Sequence, residues 1–394
     1  MGKLVFLKLD GELKKGFRVA LEIWQENSQK ISIRGKLPPV TELTTKIKHH
    51  WEEKYRFLGA PYRLKAKKKS WFRGKITPIG IFKDSSPNRR NLEECKESAK
   101  DLSSKMNIWL KSEQFREVDN QLRENLNQND NIQFLICTED LLLCKLPWQQ
   151  WELFKSFPKI EPTFAPLQFT YNQKNRKLAN KYKPRILVIL GHKEGITLEK
   201  DQRLLEDLTK AEIRFLVEPK RKDINDELWE KCWDILFFAG HSETEGDTGR
   251  IYINPNDSLT IDELSAGFKK AVQCGLQLAI FNSCDGLGLA TALSECQIPY
   301  IIVMRELVPD RVAQQFLKYF LQNFVENKSL DITVREARER LQVLESEFPC
   351  ATLLPIIYQK PTAPVLTWTE IININQSTSN PNIKYVEPLI PVPP

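Results

Sequence analysis

The sequence predicts an α/β fold: a mostly parallel sheet flanked by helices on both faces, with a small strand-rich N-terminal domain ahead of it. Three observations carry the prediction. Short runs at 186–190, 213–217, 235–239, 276–281 and 300–304 have strand length and are almost wholly apolar. Segments with helical periodicity separate them. Two of the runs stop abruptly, one at Gly240-His241-Ser242 and the other at Ser283-Cys284-Asp285-Gly286. Apolar strands alternating with helices belong to parallel sheets covered on both sides.

Taken in order, Leu4-Val5-Phe6-Leu7 reads as a strand and Asp10-Gly11 as turn chemistry. Further strands are expected at 17–23 and 31–33. Leu37-Pro38-Pro39 breaks the pattern, and 41–58 reads as one helix. The stretch 61–90 is the most basic, with Arg63, Lys65, Lys67, Lys68, Lys69, Arg73 and Lys75 around Tyr62, Trp71 and Phe72. Lysines interleaved with aromatics can meet nucleic acid or an anionic surface. A solvated loop is the plainer reading, and nucleic acid is not expected as a partner. Residues 85–91 have linker composition.

Helices follow at 92–111 and 113–127, a strand at 132–136, a partner strand at 141–144 and a Pro-rich passage at 158–166. Helices are expected at 198–210 and 224–231. Thr260 and Glu263 form a capping box, after which Leu264, Phe268 and Val272 recur on one face. Another helix opens directly after Cys284 at 287–296. Val312, Phe316, Phe320 and Phe324 make a stripe, and Val334, Ala337, Leu341 and Leu344 a second one. From 363 the periodicity is lost. The expected organisation is an N-terminal α+β accessory domain at 1–90, a main domain at 92–362 and a flexible tail at 363–394.

Composition narrows the function classes. Of 394 residues 41% are hydrophobic and 28% charged, with a net charge of +7, the profile of a globular protein with a mild basic excess. No apolar run reaches the length of a membrane span. Asp10, Glu12, Lys14 and Lys15 interrupt the first apolar stretch, so no export signal is read there. The eight cysteines show no C-x-x-C spacing, so no metal and no cofactor are expected. A reduced, cytoplasmic protein is the consistent picture.

Chemistry concentrates at the two strand ends. Active sites of open parallel sheets form at the carboxyl ends of strands. If the strands ending at His241 and Cys284 are neighbours, the two residues face each other. Cys284 would stand at the start of a helix, where unpaired N–H groups favour a thiolate. A nearby imidazole would favour it further and later protonate a leaving amine. Ser283, Gly286 and Gly288 leave room for backbone donors to an oxyanion. A cysteine ending a buried strand is more often core filler, but few residues compete: the chain has four His, and only His192, after Leu190-Gly191, is a rival base.

The stretches 234–242, 248–253, 281–290, 299–304 and 334–338, and the closing Leu354-Pro355-Ile356, resemble the CHAT family, caspase-like domains often found beside tetratricopeptide repeats in bacteria. Leu146-Pro147-Trp148 is similar to an element found upstream in that family. The resemblance covers roughly 130–360. It implies a caspase-hemoglobinase-like fold and a cysteine endopeptidase, possessing a Cys-His dyad, that works through a thioacyl-enzyme. On it, His241 is the general acid/base, Cys284 the nucleophile, and the backbone N–H groups of Ser242 and Cys284 the oxyanion donors. Many relatives have Gly where this chain has Ser242. Protein substrates, a role in intracellular signalling, and regulation by a tetratricopeptide-repeat or sensor protein are implied. Asp285, Asp247 and Glu243 would suit a basic P1 side chain; Arg250 and Arg305 would suit the opposite choice. The alternative is a non-catalytic interaction module on the same fold.

Overall fold

The computed structural model describes residues 2–25, 30–58, 89–168, 183–245, 248–284 and 286–373. The basic segment around 62–75, the linker at 85–88, Asp247, Asp285 and the tail from 374 therefore lie outside the described residues.

Fourteen strands are present among the described residues: β1 Gly2–Glu12, β2 Gly16–Gln25, β3 Ile31–Leu37, β4 Asn131–Cys137, β5 Pro162–Ala165, β6 Arg185–Leu190, β7 Glu212–Val217, β8 Ile235–Ala239, β9 Ser242–Glu245, β10 Thr248–Tyr252, β11 Ser258–Thr260, β12 Leu278–Asn282, β13 Tyr300–Met304 and β14 Pro355–Gln359. Eleven of them form one sheet in the order β3-β2-β1-β4-β5-β14-β13-β12-β8-β6-β7, and β11-β10-β9 form a small second sheet. The strands β13, β12, β8, β6 and β7 run parallel, as do β1, β4, β5 and β14. The two parallel blocks meet antiparallel at β13–β14. This is the expected mixed α/β fold with a large, mostly parallel sheet.

The apolar runs explain the centre of the sheet. Every residue of β8, β12, β13 and β14 is buried, which requires cover on both faces. Phe238 and Phe281 pack with ring centroids 5.7 Å apart across β8 and β12. Burying each such side chain contributes on the order of 2 kcal/mol. β7, last in the strand order, alternates exposed and partly buried positions over its first four residues, and Leu216 alone in it is buried. The helix Ile261–Cys274 has the predicted capping box: Thr260 accepts from the Glu263 N–H and Glu263 accepts from Thr260 N–H. It ends at Gly275, whose φ of 134° is open to glycine at low cost.

Several local expectations are corrected. Asp10 and Gly11 lie within β1, paired with Arg18 and Phe17, and the chain reverses at residues 13–15. The segment 41–58 is not one helix: α-helix at Thr41–Lys48 widens to a π-helix at His49–Tyr55 and tightens to a 3-10 turn at Arg56–Leu58. Leu141–Cys144 is a short helix rather than a strand, because the Asp140 carboxylate accepts from Leu142 N–H and caps it. The Pro-rich passage supplies β5, bridging β4 and β14. Residues 363–373 are not loose: Leu366, Trp368 and Ile371 are buried, and Trp368 stands edge-on to Phe324 at 5.7 Å. The strand-rich N-terminal unit is present, but its strands continue the main sheet through the parallel pairing of β1 with β4. Finally, not every cysteine is free. Cys232 and Cys274, with Cα atoms 5.2 Å apart, form a disulfide between the residue preceding Trp233 and the end of the Ile261–Cys274 helix. Periodicity in sequence carries no signal for such a pairing.

Candidate active site

β8 and β12 are adjacent and parallel, and their last paired residues are Ala239 and Asn282. Gly240-His241 and Ser283-Cys284 extend from those positions, so each candidate side chain stands two residues beyond the same rung of the ladder. The neighbouring pair β6–β8 is a topological switch point: β7 lies on one flank of β6 and β8 on the other. Sites of open α/β sheets form at the carboxyl edge beside such a point.

The β8 end is shaped by glycine. Gly240 has φ +153°, and a Cβ there would lie 3.1 Å from the Phe238 ring and 3.2 Å from Gly191 Cα. A Cβ on Gly191 would meet Tyr252 O at 2.3 Å. The two loops thus touch through backbone alone, and Gly191 N–H donates to Ala239 O at 2.8 Å. His241 is fully buried. Its Nε2 lies 2.8 Å from the main-chain oxygen of Glu194. A carbonyl only accepts, so Nε2 carries the hydrogen of the neutral ring and Nδ1 is left as the basic nitrogen. His241 O accepts from Tyr252 N–H at 3.0 Å, which seats the histidine at the base of the β9–β10 hairpin.

The same hairpin reaches Cys284. The Ser242 hydroxyl donates to Cys284 O. Gly249 on β10 lies against the helix Gly286–Glu295, where a Cβ would come within 2.5 Å of Leu289. That helix begins directly beyond Asp285. Cys284 is fully buried. Its Sγ accepts from Val308 N–H at 3.3 Å and lies 3.7 Å from Val308 O.

The other sequence candidates divide. Glu243 is on β9, opposite Arg250, and accepts from the Tyr252 hydroxyl. Asp247 and Asp285 lie outside the described residues. His192, the rival base, has its ring 5.7 Å from that of His241 and is flanked by Glu194 at 3.3 Å and Glu218 at 3.5 Å. Arg305 is corrected as a specificity candidate. It is fully buried, and its guanidinium donates to Leu146 O and to Gln149 Oε1 at 2.9 Å. Burial pushes its pKa down to about 10. Arg305 thereby holds the Leu146-Pro147-Trp148 element against the end of β13, a packing task that leaves no cation for a substrate.

Sequence reasoning missed Glu194 and Val308. Both act through the main chain, where the side-chain identity says nothing. Among the described residues no His, Cys, Asp and Glu cluster suits a metal ion, and no helix is long and apolar enough to cross a membrane.

Residues 196–374 match the family model described as the CHAT domain. The second half of the chain is thus similar to the CHAT domain. Among solved structures it is similar to the Arg-specific cysteine proteinase gingipain R, at 11% identity and a TM-score of 0.36, over 62% of this chain and 58% of that one. The chain thus spans little more than half the length of that proteinase. No curated protein matches the chain.

Proposed function

We propose that the chain is a cysteine endopeptidase of the cytoplasm, cleaving protein substrates in intracellular regulation, with Cys284 as nucleophile and His241 as general acid/base. The observation that carries the reading is the register of β8 and β12, which sets both residues beyond the paired Ala239 and Asn282. In the reaction, His241 Nδ1 takes the thiol proton. The Cys284 sulfur adds to the scissile carbonyl while backbone N–H groups of Ser242 and Cys284 receive the oxyanion. Collapse expels the amine, protonated by His241, and leaves a thioester that water hydrolyses. The Glu194 carbonyl would hold the imidazole in the tautomer this requires.

For substrate choice we propose a basic P1 residue, met by Glu243, Asp247 and Asp285. Removing Arg305 from the candidates weakens the opposite choice. A tetratricopeptide-repeat or sensor protein is the proposed regulatory partner. The second reading, a non-catalytic CHAT module, is favoured by one observation: Cys284 has no exposed surface.

A peptide library incubated with the full chain, Cys284→Ala and His241→Ala separates the readings. Cleavage after Lys or Arg, present in the wild type and lost in both variants, carries the proposal. Cleavage that survives Cys284→Ala sinks it, as does the lack of any cleavage by a chain whose Cys284 is readily alkylated.

A further inference from the structure

We infer that the segment Trp51–Arg56 is an inhibitory latch that holds the loop Glu306–Val308 closed over Cys284. The inference rests on the peptidase reading only in calling the closed state inhibited; the closure itself is independent of it.

Three observations converge. The first is the lid. Val308 brackets the Cys284 sulfur with both its N–H and its carbonyl, at 3.3 and 3.7 Å, and Leu307, Val308 and Cys284 are all buried. A substrate carbonyl needs to approach that sulfur to about 3–3.5 Å, so Val308 must first withdraw.

The second is what fastens the lid. The Tyr55 hydroxyl donates to Leu307 O at 2.7 Å, one residue before Val308. Arg56 donates through Nε at 2.9 Å and Nη2 at 2.6 Å to Glu306 Oε1, and Lys145 Nζ donates to Oε2 at 3.1 Å. Glu306 itself has no exposed surface and also accepts from Leu307 N–H at 3.1 Å. A buried carboxylate is tolerated only while cations and donors surround it. Glu306 therefore stays inside, and keeps the loop folded, as long as Arg56 is in place. Trp51 Nε1 donates to Lys145 O at 2.8 Å and ties the second cation to the same N-terminal helix.

The third is the form of the latch. Residues His49–Tyr55 make a π-helix that runs directly into the 3-10 turn carrying Arg56. Such i→i+5 turns are rare and recur at functional sites. Here the widened turn carries both Trp51 and Tyr55, which sit with ring centroids 5.2 Å apart. The anchors thus come from a part of the chain some 250 residues away from the loop they fasten. Movement of one N-terminal helix would free Leu307 and Glu306 together without disturbing β8 or β12.

The test is the rate of iodoacetamide alkylation at each cysteine, mapped by mass spectrometry, in the full chain and in Tyr55→Phe, Arg56→Gln and their combination. Cys137 and Cys144, buried in the same molecule, report general loosening. The expected result is at least a tenfold faster reaction at Cys284 in the combined variant, with Cys137 and Cys144 unchanged. An unchanged Cys284 rate overturns the latch, and so does a parallel rise at all three cysteines. Failure of the peptidase reading looks different: Cys284 then reacts faster in the combined variant, yet no peptide is cut.

Discussion

The Ser242 hydroxyl donates to the main-chain oxygen of Cys284, so the residue after the histidine is tied to the cysteine at the end of the neighbouring strand. Both residues are fully buried. Ser242→Ala should leave the Cys284 carbonyl without this donor and cost about 1–2 kcal/mol. Urea denaturation measures the loss. An unchanged midpoint would mean that the bond contributes nothing to the closed site.

Gly286 opens the helix behind Cys284 against β13. A Cβ there would lie 2.5 Å from Val303 Cβ and 2.9 Å from Met304 O. Neither atom is the far end of a flexible side chain, so the helix must shift. Gly286→Ala is expected to destabilise the chain by about 1–3 kcal/mol, read as a lower thermal midpoint, and to slow any Cys284-dependent cleavage.

Arg338 and Glu161 form a buried ion pair, with Nη2 to Oε2 at 3.0 Å. Burial holds the Glu161 carboxyl above its usual range although Arg338 pulls it down. Arg338→Ala strands that group and is expected to cost about 3–5 kcal/mol in urea denaturation. Replacing both residues with leucine should recover most of the loss. A cost below about 1 kcal/mol for the single change would show that water reaches Glu161.

His50 is buried against Ser98 and Cys350, at 2.8 and 3.6 Å. Burial, followed by the charges of His49 and Arg305, pushes its pKa down to about 3 from 6.5. The unfolded chain binds this proton below pH 6.5 and the folded chain only near 3. Stability should therefore fall as pH drops through that window, with a slope of up to about 1.4 kcal/mol per pH unit from this group. Urea midpoints between pH 7 and 4 test it. His50→Gln should flatten part of the slope, and an identical slope in the variant would assign acid sensitivity elsewhere.

Much of this was legible in the chain. The strands at 186–190, 235–239 and 300–304, the capping box at Thr260 and the strand-end setting of His241 and Cys284 all follow from local pattern. The misreadings share a cause. Leu141–Cys144 has a strand's composition, but Asp140 captures a backbone N–H and starts a helix. The Pro-rich β5 has little strand propensity and is held by neighbours on both sides. Arg305 looked like a substrate-binding cation until its partners, some 160 residues earlier, came into view.

By itself the sequence determined which segments bury their backbone as strands or helices and which two strand ends carry the candidate histidine and cysteine. Those outcomes depend on hydrophobic periodicity and turn chemistry, which act over a few residues. Only the tertiary structure decided that β8 and β12 are neighbours in register, that Glu194 O orients His241, that β1 extends the main sheet, and that Tyr55 and Arg56 fasten the loop over Cys284. These rest on backbone atoms and buried charges meeting across long stretches of chain, and the groups involved are the same in every residue or find their partners only once the sheet has formed.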